Sequence, residues 1–196
     1  QTGAGLRWLL ATFVVVVLWM AMYFASRMLE YEDFASLWFP PAAVSFAAFM
    51  VFRWRAWPAL ILANVLGAVI TFHREGVTVA GSMLFDGVLF ALAHCIAYWL
   101  AAEAVLQSIP RNSAPSMART VCAFLFGGMI AALIASVFGA WVTVLVELVP
   151  TGGMWPLVLP WLIGDYAGLI ATGPLLVLAL RRFALRTGLR IPHRLY

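Results

Sequence analysis

The chain is poor in charged residues and contains no lysine. Charged side chains account for 10% of its 196 residues, and all 12 basic residues are arginines. Soluble globular domains carry about 25% charged residues, whereas here 65% of the residues are hydrophobic and the mean hydropathy is +0.99. This composition excludes an ordinary soluble domain and indicates a protein that lies mostly within a lipid bilayer.

Several motifs of catalysis and metal binding are also missing. The sequence has neither the H-E-x-x-H helix of metallopeptidases nor the G-x-S-x-G turn of serine hydrolases. Its two cysteines, Cys95 and Cys122, lie in apolar stretches and lack the spacing of metal ligands. The arginines form no continuous basic face with interleaved aromatic residues, which argues against nucleic-acid binding. We therefore predict no enzyme, no metal site and no nucleic-acid partner.

The chain does contain a series of apolar stretches of transmembrane length. A helix needs about 20 apolar residues to cross a bilayer, and six stretches approach or exceed this length. They cover residues 6–24, 37–52, 57–72, 77–107, 121–148 and 155–180. The second and third are short and joined by residues 53–56, so no soluble domain fits between them. We predict a single all-α, multi-pass membrane domain over residues 1–196, a bundle of about six transmembrane helices.

The distribution of arginine predicts the orientation of this bundle. With six spans and the N-terminus inside, ten of the 12 arginines lie on the inner side, and Arg27 and Arg74 lie outside. Inner loops of membrane proteins carry an excess of basic residues, so we expect both termini in the cytoplasm. The first span lacks a signal-peptide cleavage pattern before residues 30–33. We expect it to be retained as a plain lipid-facing or packing helix.

The most informative polar residue is Asp165, near the middle of the sixth span. A carboxylate in the bilayer core costs roughly 2.5–3.5 kcal/mol or more, so it is expected to be paired, to line a polar cavity or to act in function. Glycines and prolines weaken the helix around it, which is tolerated where the backbone is buried in protein or lines a cavity. We take Asp165 and Tyr166 as candidate binding or signalling residues, and Gly164 and Gly168 as helix-packing positions. An Asp165 that only fixes helix register is an equal alternative, and its partner stays open.

The fourth span adds three further polar residues, Asp86, His94 and Glu103. Asp86 and His94 lie about 80° apart around an α-helix, so they could border one cavity without stacking. His94 is either a hydrogen-bonded packing residue or a ligand, and haem held through His94 is the one cofactor considered. Glu103 lies near the inner end of the span, where it could pair with Arg111 or Arg119.

Three more candidates lie at the second and third spans: Trp38, Pro40 and Asn64. Proline suits the first turn of a helix, and the residue before a proline avoids helical geometry. Residues 38–41 are therefore predicted as an extended approach to the second helix, either a turn at the membrane interface or the rigid mouth of a cavity. Asn64 either hydrogen-bonds a neighbouring helix or faces a polar site.

Small residues rather than polar ones mark the fifth span. Gly127, Gly128 and Gly139 are spaced so that neighbouring membrane helices can approach closely. We predict a packing face here, and formation of a homodimer through this face stays open.

Two segments of the chain carry a recognisable pattern. They read LWFPPAAVSFAAFMVFRWRAWPALILANVLG at residues 37–67 and WLIGDYAGLIATGPLLVL at residues 161–178. The pattern resembles the first-type membrane-associated sensor domain, the MASE family of bacterial signalling proteins. Its elements fall on Trp38, Pro40, Pro41, Arg53, Trp57, Pro58, Asn64, Gly164, Asp165, Gly168 and Pro174. Phe39 interrupts the usual Trp-Pro start, and Ala42 to Val44 replace the glycine that commonly follows the prolines.

The resemblance implies a sensory input module in the bacterial inner membrane. Such a module passes a stimulus to a cytoplasmic output domain of the same polypeptide, either a histidine kinase or a domain that makes or degrades a cyclic dinucleotide. We expect the chain to be this input half, with the output domain outside it, and a partner membrane protein could deliver the stimulus.

Two other functions are compatible with the sequence. A small-solute transporter or substrate-binding protein with an inverted repeat would fit the Trp-Pro starts at Trp57 and Trp155. A haem-binding membrane module would need two facing ligands, and His94 and His73 lie at different depths.

Overall fold

The computed structural model describes residues 2–32, 35–74, 82–109, 117–149 and 151–191. Within these ranges, six α-helices dominate the fold, and the prediction of an all-α bundle of about six helices is confirmed. They are α1 (Thr2–Ser26), α2 (Pro41–Phe52), α3 (Trp57–Arg74), α4 (Ser82–Ser108), α5 (Met117–Leu145) and α6 (Met154–Arg186). Short 3-10 helices lie at Arg27–Leu29, Arg53–Ala56 and Thr151–Gly153. After α1 the chain forms a small antiparallel hairpin, β1 (Glu30–Glu32) and β2 (Ala35–Ser36).

The helices match the predicted spans but not all of their ends. The second helix begins at Pro41 rather than at residue 37, and α6 continues through Pro160 and Pro174 as far as Arg186. The predicted start of the fourth span, residue 77, lies outside the described residues. Five segments are long and apolar enough to cross a bilayer, because α2 and α3 together form one such stretch, Pro41–Arg74.

The short helix α2 lies at the centre of the bundle. Its sequence is apolar on every side, and all 12 of its residues are buried, as expected for a helix without a polar face. It packs against α1, α4 and α6, while α1, α3, α4, α5 and α6 follow one another around it. With 12 residues α2 is about 18 Å long, shorter than the roughly 30 Å of the hydrocarbon core. Backbone outside α2 must therefore make up the rest of this membrane crossing.

That backbone is the approach segment, residues 36–40, and it is held on α6 by main-chain contacts. The Phe39 N–H donates a hydrogen bond to the Gly164 carbonyl oxygen at 2.9 Å. A Cβ atom at Gly164 would collide with the Ser36 carbonyl oxygen, and one at Gly168 would collide with the Phe39 carbonyl. Non-helical backbone occurs at membrane depth where it is buried in protein or lines a cavity. The two glycines thus pack against extended backbone rather than against a helix.

Both termini of the described chain lie at one end of the bundle, which we call the arginine-rich end. The Arg7 guanidinium lies 3.0 Å from the position a Cβ atom would take at Gly188. The Arg55 guanidinium lies 4.7 Å from the centroid of the Trp8 ring, which places the turn between α2 and α3 at the same end. The chain therefore reverses between α2 and α3.

Glu103 also lies at the arginine-rich end, where it forms an ion pair with Arg53. This ion pair is with neither of the two predicted partners, Arg111 and Arg119, and Arg111 lies outside the described residues. Arg53 begins the turn after α2 with a positive φ of 58°. The pair joins this turn to α4.

The three predicted packing glycines of α5 pack against other helices of the same chain. A Cβ atom at Gly127 would lie 2.5 Å from a methyl carbon of Val105 on α4. Cβ atoms at Gly128 and Gly139 would meet Leu169 and Trp161 on α6 at similar distances. These positions therefore join α5 to α4 and α6, and a homodimer would have to use another face.

The two native cysteines provide a test of this packing. Cys95 is fully buried on α4 and Cys122 is exposed on α5. A small maleimide should therefore label one thiol per folded chain in detergent, and two after unfolding in SDS. In Cys122→Ser the folded chain should take up no label, and equal labelling of both thiols in the native state would contradict the fold.

Candidate functional site

A cavity of about 190 Å³ lies among α1, α3, α4, α5 and α6. It extends from the hairpin, opposite the arginine-rich end, to the middle of the bundle. Its lining consists of Trp19, Tyr23, Ser26, Arg27, Glu30, Ser36, Phe39, Asn64, Gly67, Ala68, Thr71, Phe72, Phe90, His94, Ala135, Gly139, Thr143, Trp161 and Asp165. This space is large enough for several water molecules or for a small organic molecule.

The inner part of the cavity contains Asp165, and its hydrogen-bond donor is Tyr98. The Tyr98 hydroxyl donates to Asp165 Oδ2 at 2.8 Å. Tyr98 is fully buried, while Asp165 retains 8% exposure. A buried carboxylate requires such a partner because its desolvation is costly. This hydrogen bond joins α4 directly to α6.

A second network centres on Ser45 of α2. Trp19 Nε1 donates to Ser45 Oγ at 3.2 Å, and Ser45 Oγ donates to the Pro41 carbonyl oxygen at 3.0 Å. His94 Nε2 lies 3.0 Å from the same oxygen. His94 also packs on Tyr98, one turn further along α4, with ring centroids 4.6 Å apart. The ring of His94 therefore connects the Ser45 network to the Tyr98–Asp165 pair.

The outer part of the cavity is held by Arg27. Its guanidinium donates to the Tyr23 hydroxyl at 2.8 Å and forms an ion pair with Glu30 at 2.9 Å. The Tyr23 hydroxyl lies 2.6 Å from Thr71 Oγ1 on α3. These contacts connect the end of α1, the hairpin and α3 around the outer part of the cavity.

Asn64 lines the cavity from α3 and makes its main hydrogen bond within its own helix. Its Nδ2 donates to the Leu60 carbonyl oxygen at 2.8 Å. The contact to a neighbouring helix is a 4.0 Å approach of Nδ2 to Cys95 Sγ. Because a carbonyl oxygen can only accept, the first bond fixes the amide orientation and leaves Asn64 Oδ1 as an acceptor without a donor among the described residues.

The structure brings three of the predicted site residues together around the cavity: Asp165, Asn64 and His94. The other predicted residues lie apart from its lining. Asp86 is half-buried on α4 and Tyr166 is half-buried on α6. The expectation that Asp86 borders one cavity with His94 is therefore wrong.

The remaining two predicted residues, Trp38 and Pro40, belong to the approach segment. The Trp38 N–H contacts Ser36 Oγ at 3.3 Å, and the Pro40 carbonyl accepts from the Val44 N–H at 3.1 Å. The side chain that reaches the cavity from this segment is that of Phe39, between them. The segment thus lines the cavity, and Trp38 and Pro40 fix its backbone.

Sequence reasoning missed the contribution of α1. The helix does pack, against α2 and α3, but the prediction left out that Trp19, Tyr23 and the following Arg27 line the cavity. These residues are spaced four apart, which places them on one helix face. The Trp19 and Tyr23 rings stack at 5.7 Å. This four-residue spacing is the sequence signal that indicates a shared, functional face on α1.

Comparison with known families shows which family the sequence matches. The MASE1 family model matches residues 7–195, which include the approach segment, α6 and the whole lining of the cavity. No curated protein and no solved structure matches the chain. Within the part of the chain that the structure describes, no group of three or more His, Cys, Asp or Glu side chains could hold a metal ion.

Proposed function

Because the chain belongs to the MASE1 family of membrane-associated sensory domains of bacterial signalling proteins, we propose that its cavity receives the stimulus and that α6 carries the response to a cytoplasmic output domain. The observation that carries this proposal is the Tyr98–Asp165 hydrogen bond. One partner of the bond faces the cavity, and that partner lies on the helix that leads to the C-terminus.

The proposed mechanism is a change in the packing of α6 against α4. A molecule in the cavity can shift a signalling equilibrium only if it binds two arrangements with different affinities. Contact with Asp165 would do so by competing with Tyr98 for the carboxylate. From Asp165 to Arg186, α6 is one continuous helix of about 30 Å, so a tilt or shift at the cavity would reach its far end.

The orientation of this path follows from the arginines. Arg7, Arg53 and Arg55 lie at the arginine-rich end with the end of α6, where Arg181, Arg182 and Arg186 also occur. Basic residues favour the cytoplasmic side, which supports cytoplasmic termini in the bacterial inner membrane. The outer part of the cavity would then face the periplasm.

The output domain in this proposal is a histidine kinase or a domain of cyclic-dinucleotide metabolism. A stimulus from a partner membrane protein would act on the same helices from the lipid side. A homodimer would use the exposed apolar side of α5, which carries Phe126, Phe138 and Trp141.

The test is a fusion of the chain to a reporter kinase or cyclase whose activity requires a cytoplasmic location. Tyr98→Phe should change the output of the fusion several-fold, because it removes the hydroxyl that holds Asp165. Tyr166→Phe makes the same chemical change next to Asp165 but outside the cavity lining, and should leave the output unchanged. Equal outputs from Tyr98→Phe and the parent fusion, at equal protein levels, would reject the proposed path.

A further inference from the structure

We infer that the cavity binds a small organic cation, a protonated amine or quaternary ammonium, with Asp165 as its counter-charge. This inference deepens the proposed sensory function and rests on it for its biological meaning. It concerns the chemical class of the molecule that enters the cavity, which can be measured without any signalling readout.

The charge balance of the lining is the first argument. Three charged side chains line the cavity among the described residues: Arg27, Glu30 and Asp165. Arg27 and Glu30 form an ion pair with each other, and Glu30 also lies 4.0 Å from Arg74. Asp165 has no cationic partner within the described ranges, and its one hydrogen-bond donor there is the neutral hydroxyl of Tyr98. A cation would supply the missing counter-charge.

The hydrogen-bonding capacity left in the cavity is the second argument. Asn64 presents Oδ1 as an acceptor, because its Nδ2 is used by the Leu60 carbonyl. The Asp165 carboxylate has two oxygens, and Tyr98 occupies Oδ2. Nearby hydroxyls of Tyr23 and Thr71 are already bonded to each other. A ligand that donates hydrogen bonds, as an ammonium group does, therefore fits better than one that accepts them.

The aromatic lining is the third argument. The rings of Trp19, Tyr23, Phe39, Phe90 and Trp161 surround the same space. Aromatic faces attract cations electrostatically, and cages of such rings recognise quaternary ammonium groups. A carboxylate set among aromatic rings in a space of about 190 Å³ suits a small organic cation.

The experiment compares probes of matched size and different charge on the purified 196-residue chain in nanodiscs. Isothermal titration calorimetry measures binding of n-butylammonium and tetramethylammonium, of the neutral n-butanol and tert-butanol, and of the anion butyrate. We expect the two cations to bind at least about tenfold more tightly than their neutral counterparts, and butyrate to show no binding. Equal binding of cation and neutral probe, preference for butyrate, or no binding of either cation would overturn the inference.

Two variants locate the binding. Asp165→Asn keeps the shape of the side chain and removes its charge, so it should weaken binding of both cations by about tenfold or more. Asp86→Asn removes a carboxylate outside the lining and should leave binding unchanged. Equal losses in the two variants, or none in Asp165→Asn, would overturn the assignment of Asp165.

The result of the binding experiment can be distinguished from the result of the reporter fusion. If Tyr98→Phe alters the output while neither cation binds, the sensory path stands and the inference about cations fails. If the cations bind while Tyr98→Phe leaves the output unchanged, the binding site stands and the proposed path fails.

Discussion

Replacing Gly164 or Gly168 with alanine is expected to yield protein that inserts into the membrane but does not purify as a single folded species. In each variant the new methyl group would meet main-chain atoms of the approach segment, at the Ser36 carbonyl or the Phe39 carbonyl. Backbone cannot rotate aside as the end of a side chain can. Overpacking typically costs about 1–3 kcal/mol and occasionally more, and here it would also break the Phe39–Gly164 hydrogen bond. Size-exclusion chromatography in detergent measures the outcome.

A matched control exists at Gly87, a buried glycine within α4. A Cβ atom there would lie 3.5 Å from the Ala68 Cβ and 3.6 Å from Val65, which is ordinary van der Waals contact. Alanine is also favoured over glycine in a helix by about 1 kcal/mol, so Gly87→Ala should elute and melt like the parent chain. A Gly164→Ala or Gly168→Ala chain that behaves like Gly87→Ala would show that the approach segment does not dock on α6 in this way.

Replacing Asp165 with asparagine is expected to uncouple input from output without stopping insertion. Asparagine has nearly the same shape, but it lacks the charge that the cavity offers to a bound cation and that strengthens the bond from Tyr98. A hydrogen bond to a charged group is worth roughly 1.5–3 kcal/mol, so the ratio of the two signalling states should shift about tenfold. The output of the reporter fusion, normalised to membrane-inserted protein, measures this shift.

The control for this prediction is Asp86→Asn, which makes the same chemical change at a carboxylate elsewhere in the bundle. Asp86 is half-buried and lies outside the cavity lining, so its replacement should leave the output of the fusion unchanged. An Asp165→Asn fusion with the parental output would assign Asp165 to a purely structural role.

The sequence was sufficient for the number of helices, because six apolar stretches have few other solutions in a bilayer. It did not reveal that α2 is a buried core helix. Its run PAAVSFAAFMVF is compatible with a short transmembrane span and with a core helix. The structure identifies it as a core helix, because α1, α4 and α6 cover it.

Part of the candidate site could also be predicted from the sequence. Asp165, Asn64 and His94 stand out because polar groups are rare in apolar spans, and all three line the cavity. Tyr98 and Ser45 do not stand out, since tyrosine and serine are common in membrane helices. Their importance depends on which helices are neighbours, and the spacing of residues along one helix carries no information about that.

The most direct test of the central claim is a double-mutant cycle of Tyr98→Phe and Asp165→Asn in the reporter fusion. If the hydrogen bond between these residues transmits the response, each single variant should shift the output, and the double variant should shift it no further than the larger single effect. Effects that simply add in the double variant would show that the two residues act independently, and would contradict a path from the cavity through this bond to α6.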